Sequence, residues 1–551
     1  MKGIDKRSKP SSPRAAGRSA TAGSSKPTVY TIKGADASGV IETINNIVNM
    51  TVVSRDANDL KAEYHAGFVQ GKLQGKTIIS ARDNTWSNSY LLDPSHTFPK
   101  KPCPAPAELQ RAADLLNTNY DSFLKWVRDA KKERSMVFNL KRLLFRMLGI
   151  YHGATISKPA GLDFSGAWLP DKKYFKPAEL ALGYETGSLS FMDVYFLNAN
   201  CDLMDVIADT KELSGTARRV AGPHEKCSAF IKRVDGEVIL THNTWQGFLS
   251  QTMTQTLAVN GDLLTVNAST PGLIGSGTDF GYNNKGIKFN ETTHRASISK
   301  TKVEGLWIFW RATLAEQFSH SIDEFFSAIS LDNTGTYLNG YMLVDAFTKE
   351  TGLVEMSFNC FVFYKQAPGK DYKVTTSPAP GKTKWSTEYD KEMVTRDYLM
   401  GINFPASLQV QTDLGSTDNR PARRKQLRER LPGVKDVESA KRLITYTDPA
   451  NPLSLFGRWD LGYGETDYPK QIPDGSIDSK VVSTSMVRAF KDLSGILDTS
   501  AANPAFWMLY GTATVNGTPF IWSQSSWKWQ KLRDVPDRVD GVFTLMPLHL
   551  R

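Results

Sequence analysis

The segment Lys226-Cys-Ser-Ala-Phe-Ile-Lys-Arg-Val-Asp-Gly-Glu-Val-Ile-Leu-Thr-His-Asn-Thr-Trp245 carries a thiol and an imidazole on either side of Asp235-Gly236. Asp-Gly between two runs of β-branched and aromatic residues signals a two-residue hairpin turn. That turn would set Val234 opposite Glu237, Ala229 opposite His242 and Cys227 opposite Thr244. Side chains alternate along a strand, so Cys227 and His242 would share one face as diagonal neighbours. A three-residue loop with a bulge would break this register. A thiol within reach of an imidazole suits nucleophilic attack on an acyl carbon. Residue types alone also permit a plainer reading, in which Cys227 packs as a small hydrophobe and His242 is a hydrogen-bonded neighbour.

Further short motifs follow in order. They are Gly183-Tyr-Glu-Thr-Gly187, Asn198-Ala-Asn-Cys-Asp202, Gly275-Ser-Gly277, Glu291-Thr-Thr293, and Asn333-Thr-Gly-Thr-Tyr337 with Met342-Leu-Val-Asp345. Asn403-Phe-Pro405, the stretch from Tyr446 to Ser454, and Gly475-Ser-Ile-Asp-Ser-Lys-Val481 complete the series. Together with Cys227-Ser-Ala-Phe-Ile-Lys and His242-Asn-Thr-Trp245, this ordered set resembles the phospholipase B-like family of N-terminal nucleophile hydrolases. Order and context make the set far more specific than any one motif.

The resemblance implies an α+β fold, an αββα sandwich of the N-terminal nucleophile hydrolase type with additional helices. It also implies an inactive precursor that cuts its own chain before the nucleophile, here between Lys226 and Cys227. Three regions would result: a disordered basic tail over 1–27, a helix-rich fragment over 28–226, and a nucleophile-bearing fragment over 227–551. The two fragments are expected to stay associated. Cleavage would give Cys227 an α-amino group, whose reference pKa of about 7.7–8.0 lets it accept a proton near neutrality. Nucleophile and base would then share one residue.

By the same resemblance His242 would orient the Cys227 amine or thiol, and Thr293 would hydrogen-bond the site. The Asn403 amide would donate to the oxyanion. Arg420 is the expected family arginine, with Arg423 as its rival in Asn419-Arg-Pro-Ala-Arg-Arg424. Asn243 and Trp245 would lie near the site. The implied activity is release of acyl groups from (phospho)lipid esters, with no cofactor and no metal. An amidase acting on N-acyl lipids or peptides is the alternative within the same chemistry, and a catalytically silent binding protein the alternative outside it. The substrate partner is thus a lipid or an N-acyl compound; the oligomeric state is left open.

Elements must hold these residues in place. Thr28 to Ile32 reads as a strand. Leu60 to Leu73 and Pro106 to Leu148 carry helical spacing of apolar residues, with Pro106 suited to a first turn and Gly149 to a stop. Beyond Gly183, short β-type runs alternate with turns, as at Val303 to Ile308, Tyr341 to Val344 and Val354 to Tyr364. Glu316 to Ile329 and Met486 to Phe490 return to helix. Ala367 to Thr387 lacks apolar periodicity and reads as an exposed loop.

Composition bounds the rest. The chain has 551 residues, 40% of them hydrophobic and 23% charged, as a folded globular protein does. The formal charge of +10 is concentrated before Thr28, where seven basic residues face Asp5 alone. A tail rich in Ser, Ala, Gly and Pro solvates itself, so nucleic acid is not the expected partner. Four cysteines without ligand spacing build neither a zinc site nor a disulfide scaffold. No apolar run approaches the ~20 residues of a membrane span. Met1 to Pro27 has no apolar segment of the signal-peptide kind, so the chain as it stands is expected to be cytoplasmic; the resemblance points instead to lysosomal or secreted proteins.

Overall fold

The computed structural model describes residues 25–91, 104–129, 134–165, 168–209, 226–247, 252–294, 296, 300–378, 386–416, 421–447, 455–456, 474–491, 504–511, 519–524 and 536–548. Most of the expected tail, the Tyr446 to Ser454 motif beyond Thr447, and Arg420 lie outside these residues.

Two large sheets organise the chain. The first has eleven strands: β1 (Thr28–Thr31), β2 (Asp36–Ile44), β3 (Ile47–Arg55), β6 (Met253–Val259), β7 (Leu263–Ser269), β8 (Phe280–Asn283), β9 (Ile287–Thr293), β10 (Asn339–Asp345), β11 (Thr351–Met356), β12 (Cys360–Gln366) and β13 (Lys373–Pro378). The second has six, in the order β14 (Tyr398–Gly401), β4 (Lys226–Val234), β5 (Glu237–Gly247), β15 (Asp474–Ser483), β16 (Pro504–Tyr510) and β19 (Thr544–Pro547). A two-stranded pair, β17 (Phe520–Ile521) and β18 (Arg538–Val539), stands apart. In the first sheet β3 and β6 run parallel, and its other neighbouring strands are antiparallel.

The sheets stack face to face, and side chains of β8 and β9 reach across to main-chain oxygens of the second sheet. Lys288 Nζ donates to Val238 O at 2.9 Å, Asn290 Nδ2 to Thr241 O at 2.9 Å, and the Tyr282 hydroxyl to Ala505 O at 2.9 Å. Such bonds satisfy polar groups that the stacked faces remove from water. Helix α1 (Asp59–Gln74) covers the outer face of β1, β2, β3 and β6. Helices Val437–Ile444 and Thr484–Lys491 cover the outside of the second sheet against β5 and β15. The layers therefore run helix, sheet, sheet, helix. This is the αββα sandwich expected from the sequence, with additional helices including α2 (Lys76–Leu91), α3 (Pro106–Arg128), α4 (Arg134–Thr155) and α5 (Phe191–Asp209).

Four local expectations need correction. Gly149 does not stop a helix, because α4 runs through it to Thr155. It is a contact point instead: a Cβ there would lie 2.2 Å from Tyr64 O, and one at Gly67 of α1 would lie 2.0 Å from Arg146 O. Glycines on both helices let the two backbones touch. Val303 to Ile308 is not a strand. Gly305 at φ 110° turns the chain, Leu306 makes one bridge to Asn333, and Ile308 begins a helix that ends at Phe318. A second helix, Ile322–Ile329, follows it, so the Glu316 to Ile329 stretch is split. Within Ala367 to Thr387, Lys373–Pro378 pairs with β12 as an edge strand. One of its faces meets water, so it needs no strong apolar pattern, and its lysine and threonines suit an unpaired edge.

Candidate active site

The hairpin of β4 and β5 turns at Asp235 (φ 43°) and Gly236 (φ 81°). Two successive positive φ values define the primed turn that matches strand twist. The register is the expected one: Val234 opposes Glu237, Ala229 opposes His242, and Cys227 opposes Thr244. Cys227 and His242 thus fall on the same face, turned toward the first sheet. Both are fully buried.

Asp279 completes the cluster. It precedes β8 at φ 56°, held where Glu291 N–H donates to its carbonyl at 3.2 Å. A sulfur of Cys227, a ring nitrogen of His242 and a carboxylate oxygen of Asp279 all lie within 4.8 Å of one another. The thiol is buried, but among polar groups rather than in an apolar core. Burial holds the His242 imidazole well below its usual pKa, and the neighbouring Lys480 acts in the same direction; a hydrogen bond to the Glu291 main chain opposes them. His242 is therefore neutral, and its Nε2 has no hydrogen-bond partner among the described residues. Burial raises Asp279 to about 6, against a hydrogen bond from Glu291 and the charge of Lys480. The same sulfur, nitrogen and oxygen donors would suit a thiophilic divalent cation, which would occupy the sulfur and block its attack.

Asn403 comes from beyond β14, whose pairing of Gly401 with Ala229 carries the following turn past Cys227. It sits at φ 61°, a conformation asparagine tolerates better than most residues. Its Oδ1 accepts from Cys227 N–H at 2.6 Å, and its Nδ2 donates to Thr293 O at 2.9 Å. Thr293 in turn donates its hydroxyl to the Tyr337 oxygen at 3.0 Å. The Asn403 amide is thus oriented so that its oxygen faces the Cys227 nitrogen.

Arg423, the rival of Arg420, reaches Cys227 from helix Pro421–Arg430, while Arg420 lies outside the described residues. Its Nη1 donates to Cys227 O at 2.5 Å and to Ser228 Oγ at 3.1 Å; its Nη2 donates to Ile402 O at 2.9 Å and to Asn403 Oδ1 at 3.2 Å. The guanidinium also lies 5.2 Å from the Trp245 ring centroid. Trp245 and Asn243 support the site from behind. Asn243 accepts from Ser228 N–H and donates to the carbonyls of Ile444 and Leu455, and Trp245 Nε1 donates to Leu455 O.

Sequence reasoning gave no role to Asp279, Asp478 or Lys480. Lys480 opposes His242 across the β5–β15 ladder and donates to Asp478 Oδ1 at 2.5 Å, to Thr244 Oγ1 at 2.8 Å and to Thr278 O at 2.8 Å. Both charged residues are fully buried. A charge this costly to bury is retained only with partners, so the Ile-Asp-Ser-Lys spacing was the available signal. For Asp279 the signal was its place just after Gly275-Ser-Gly277. Asp279 also lines a cavity of about 130 Å³.

Comparison with known proteins gives the chain a family. The Phospholipase B family model matches residues 178–540. Phospholipase B-like protein C of Dictyostelium discoideum is 23% identical over 376 residues, 62% of this chain and 62% of that protein. Phospholipase B of Crotalus adamanteus is 25% identical over 366 residues, 58% of this chain and 62% of that protein. The chain thus spans about three-fifths of the length of these relatives. A mutant of the conjugated bile acid hydrolase of Clostridium perfringens aligns at 12% identity and a TM-score of 0.24, covering 46% of this chain and 85% of that one, a likeness too loose to argue from. The family match takes in the hairpin, Asp279, Asn403, Arg423 and Lys480, and the chain belongs to the phospholipase B family.

Proposed function

We propose that the protein is an acyl hydrolase whose nucleophile is Cys227, exposed as a new N-terminus by cleavage of the Lys226–Cys227 bond. The observation that carries this reading is the Cys227–His242–Asp279 cluster, joined to Asn403 Oδ1 at the Cys227 nitrogen. In maturation, neutral His242 takes the thiol proton and the sulfur attacks the Lys226 carbonyl carbon. The C–S bond forms as the C–N bond breaks, and the proton passes to the departing nitrogen, which becomes the α-amine. Water then hydrolyses the thioester, giving the Lys226 carboxylate and returning a thiol. Before cleavage Cys227 has no amine of its own, so a neighbouring base is needed, and His242 and Asp279 are the groups in reach.

In turnover the α-amine takes the thiol proton and the sulfur attacks the substrate acyl carbon. The proton goes to the leaving oxygen, and water releases the acid from the acyl-enzyme. Asn403 Oδ1, which already accepts from the Cys227 nitrogen, would hold the amine with its lone pair toward the sulfur. Arg423 fixes the Cys227 carbonyl, and so the rest of the residue. The substrate in this reading is a (phospho)lipid ester, in line with the family. An N-acyl amide would pass through the same steps with nitrogen leaving.

Intact mass tests the proposal. Wild-type protein incubated at neutral and acidic pH should split after residue 226 while the fragments co-elute, and Cys227→Ala should stay whole. Fatty acid release from phosphatidylcholine should follow the split protein and not the whole one. A wild-type chain that stays full-length and releases no acid would point to a binding protein on the same fold.

A further inference from the structure

The cavity beyond Asp279 has an unusual lining. Three carboxyl residues face it, Asp202, Asp279 and Glu316, with Tyr337 and Tyr341; among the described residues no lysine, arginine or histidine lines it. Asp202 is fully occupied, accepting from Ile308 N–H, Phe309 N–H and the Thr336 hydroxyl. Glu316 is different. It is 94% buried, being only 6% exposed, yet one of its oxygens accepts a single long bond from Ser276 N–H at 3.4 Å and the other has no partner among the described residues. A buried carboxyl left short of partners inside a cavity is a group waiting for a donor. The wall is built close around it: a Cβ on Gly275 would press on Thr313 Oγ1 at 2.7 Å and approach Glu316 Oε2 at 3.4 Å.

The cavity joins the reacting groups at two points. Asp279 belongs to both, and Tyr337 accepts from Thr293, whose carbonyl holds Asn403. Its volume of about 130 Å³ suits a small group rather than an acyl chain. We propose that this cavity is a subsite of the same hydrolytic site and takes a compact ammonium group of the substrate, seated on Glu316 and Asp279, in preference to a phosphate. An ammonium offers several N–H donors to carboxyl oxygens and balances their charge; a phosphate would meet neutral donors such as Asn198 and Thr313 but three carboxyl residues and, among the described lining residues, no cation. Burial keeps the Glu316 carboxyl protonated up to about 8, and an ammonium is the ligand that favours its ionised form. This inference rests on the acyl-hydrolase reading for the meaning of the subsite, but its test reads binding alone.

Full-length wild-type and Cys227→Ala proteins would be titrated calorimetrically with ethanolamine, glycerol and inorganic phosphate at constant ionic strength. Ethanolamine should bind saturably, and Glu316→Gln should weaken it by about tenfold or more. Ala312→Phe, which fills the cavity from the neighbouring helix, should abolish binding, with circular dichroism confirming that both variants fold. Glycerol and phosphate should not saturate. Phosphate binding without ethanolamine binding, glycerol binding as well as ethanolamine, or unchanged affinity in folded Glu316→Gln would each overturn the proposal. Ethanolamine binding in a protein that never releases fatty acid would keep the subsite and sink the hydrolase reading; hydrolysis without ethanolamine binding would do the reverse.

Discussion

Asn403 Oδ1 stands 2.6 Å from the main-chain nitrogen of Cys227, the atom that becomes an α-amine if the chain is cut before it. The same amide is pinned on its other side by Thr293 O at 2.9 Å. An amide oriented this way serves the nitrogen of residue 227 first, and the oxyanion only through its remaining N–H. Asn403→Ala should therefore lower kcat by about a hundredfold, the usual cost of losing one preorganised polar group. Asn403→Gly separates this from backbone strain at φ 61°. Glycine should restore stability lost in the alanine variant without restoring activity, as read by urea melts beside fatty acid release.

Arg423 holds two main-chain carbonyls and the Asn403 side chain from a buried position. Arg423→Gln should destabilise the protein by about 3 kcal/mol, since it strands buried acceptors. It should also slow the appearance of the 227–551 fragment. Arg420→Ala should stay within about 0.5 kcal/mol of wild type and mature normally. Equal effects of the two substitutions on fragment formation would return the assignment to Arg420.

Buried titratable groups give stability an acid-side optimum. Burial raises Asp202 to about 6, Glu355 to about 7 and Glu316 to about 8. For these the unfolded chain ionises first, so stability present in acid is lost as pH rises from the ordinary carboxylate range through 6 to 8. Burial lowers His152 to about 4 and His294 to about 3. Here the unfolded chain takes up protons first, and stability is lost as pH falls from 6.5 toward those values. Thermal midpoints should peak between about pH 4.5 and 6.5. Glu316→Gln should raise the midpoint at pH 8 and leave it nearly unchanged at pH 4; a gain at pH 4 equal to that at pH 8 would contradict the buried-acid account.

The contact between α1 and α4 depends on glycine. Gly149→Ala would set a methyl 2.2 Å from Tyr64 O, so the helices must separate. The loss should reach about 3 kcal/mol, the upper range for overpacking, because backbone cannot rotate aside as a side chain can. Differential scanning calorimetry would register it as a lower melting temperature. Were Gly149 an interior helix residue with open space around it, alanine would stabilise instead.

The sequence alone determined the hairpin and the pairing of its residues. Asp235-Gly236 is local chemistry: positive φ at two successive positions admits one turn geometry, and strand periodicity then places Cys227 and His242 on one face. The ordered motifs likewise carried the family and its layered fold. Tertiary structure decided the rest. Asp279 and Arg423 reach Cys227, and Lys480 reaches Thr244 opposite it, from segments far along the chain, and no local pattern says that Arg423 turns inward. Gly149 misled for the same reason, since a helix stop and a helix contact both call for glycine and only the partner helix tells them apart. The cavity around Glu316 was invisible to sequence because it is a space between α5, the Gly275–Gly277 loop and helix Ile308–Phe318, and space belongs to packing rather than to any residue.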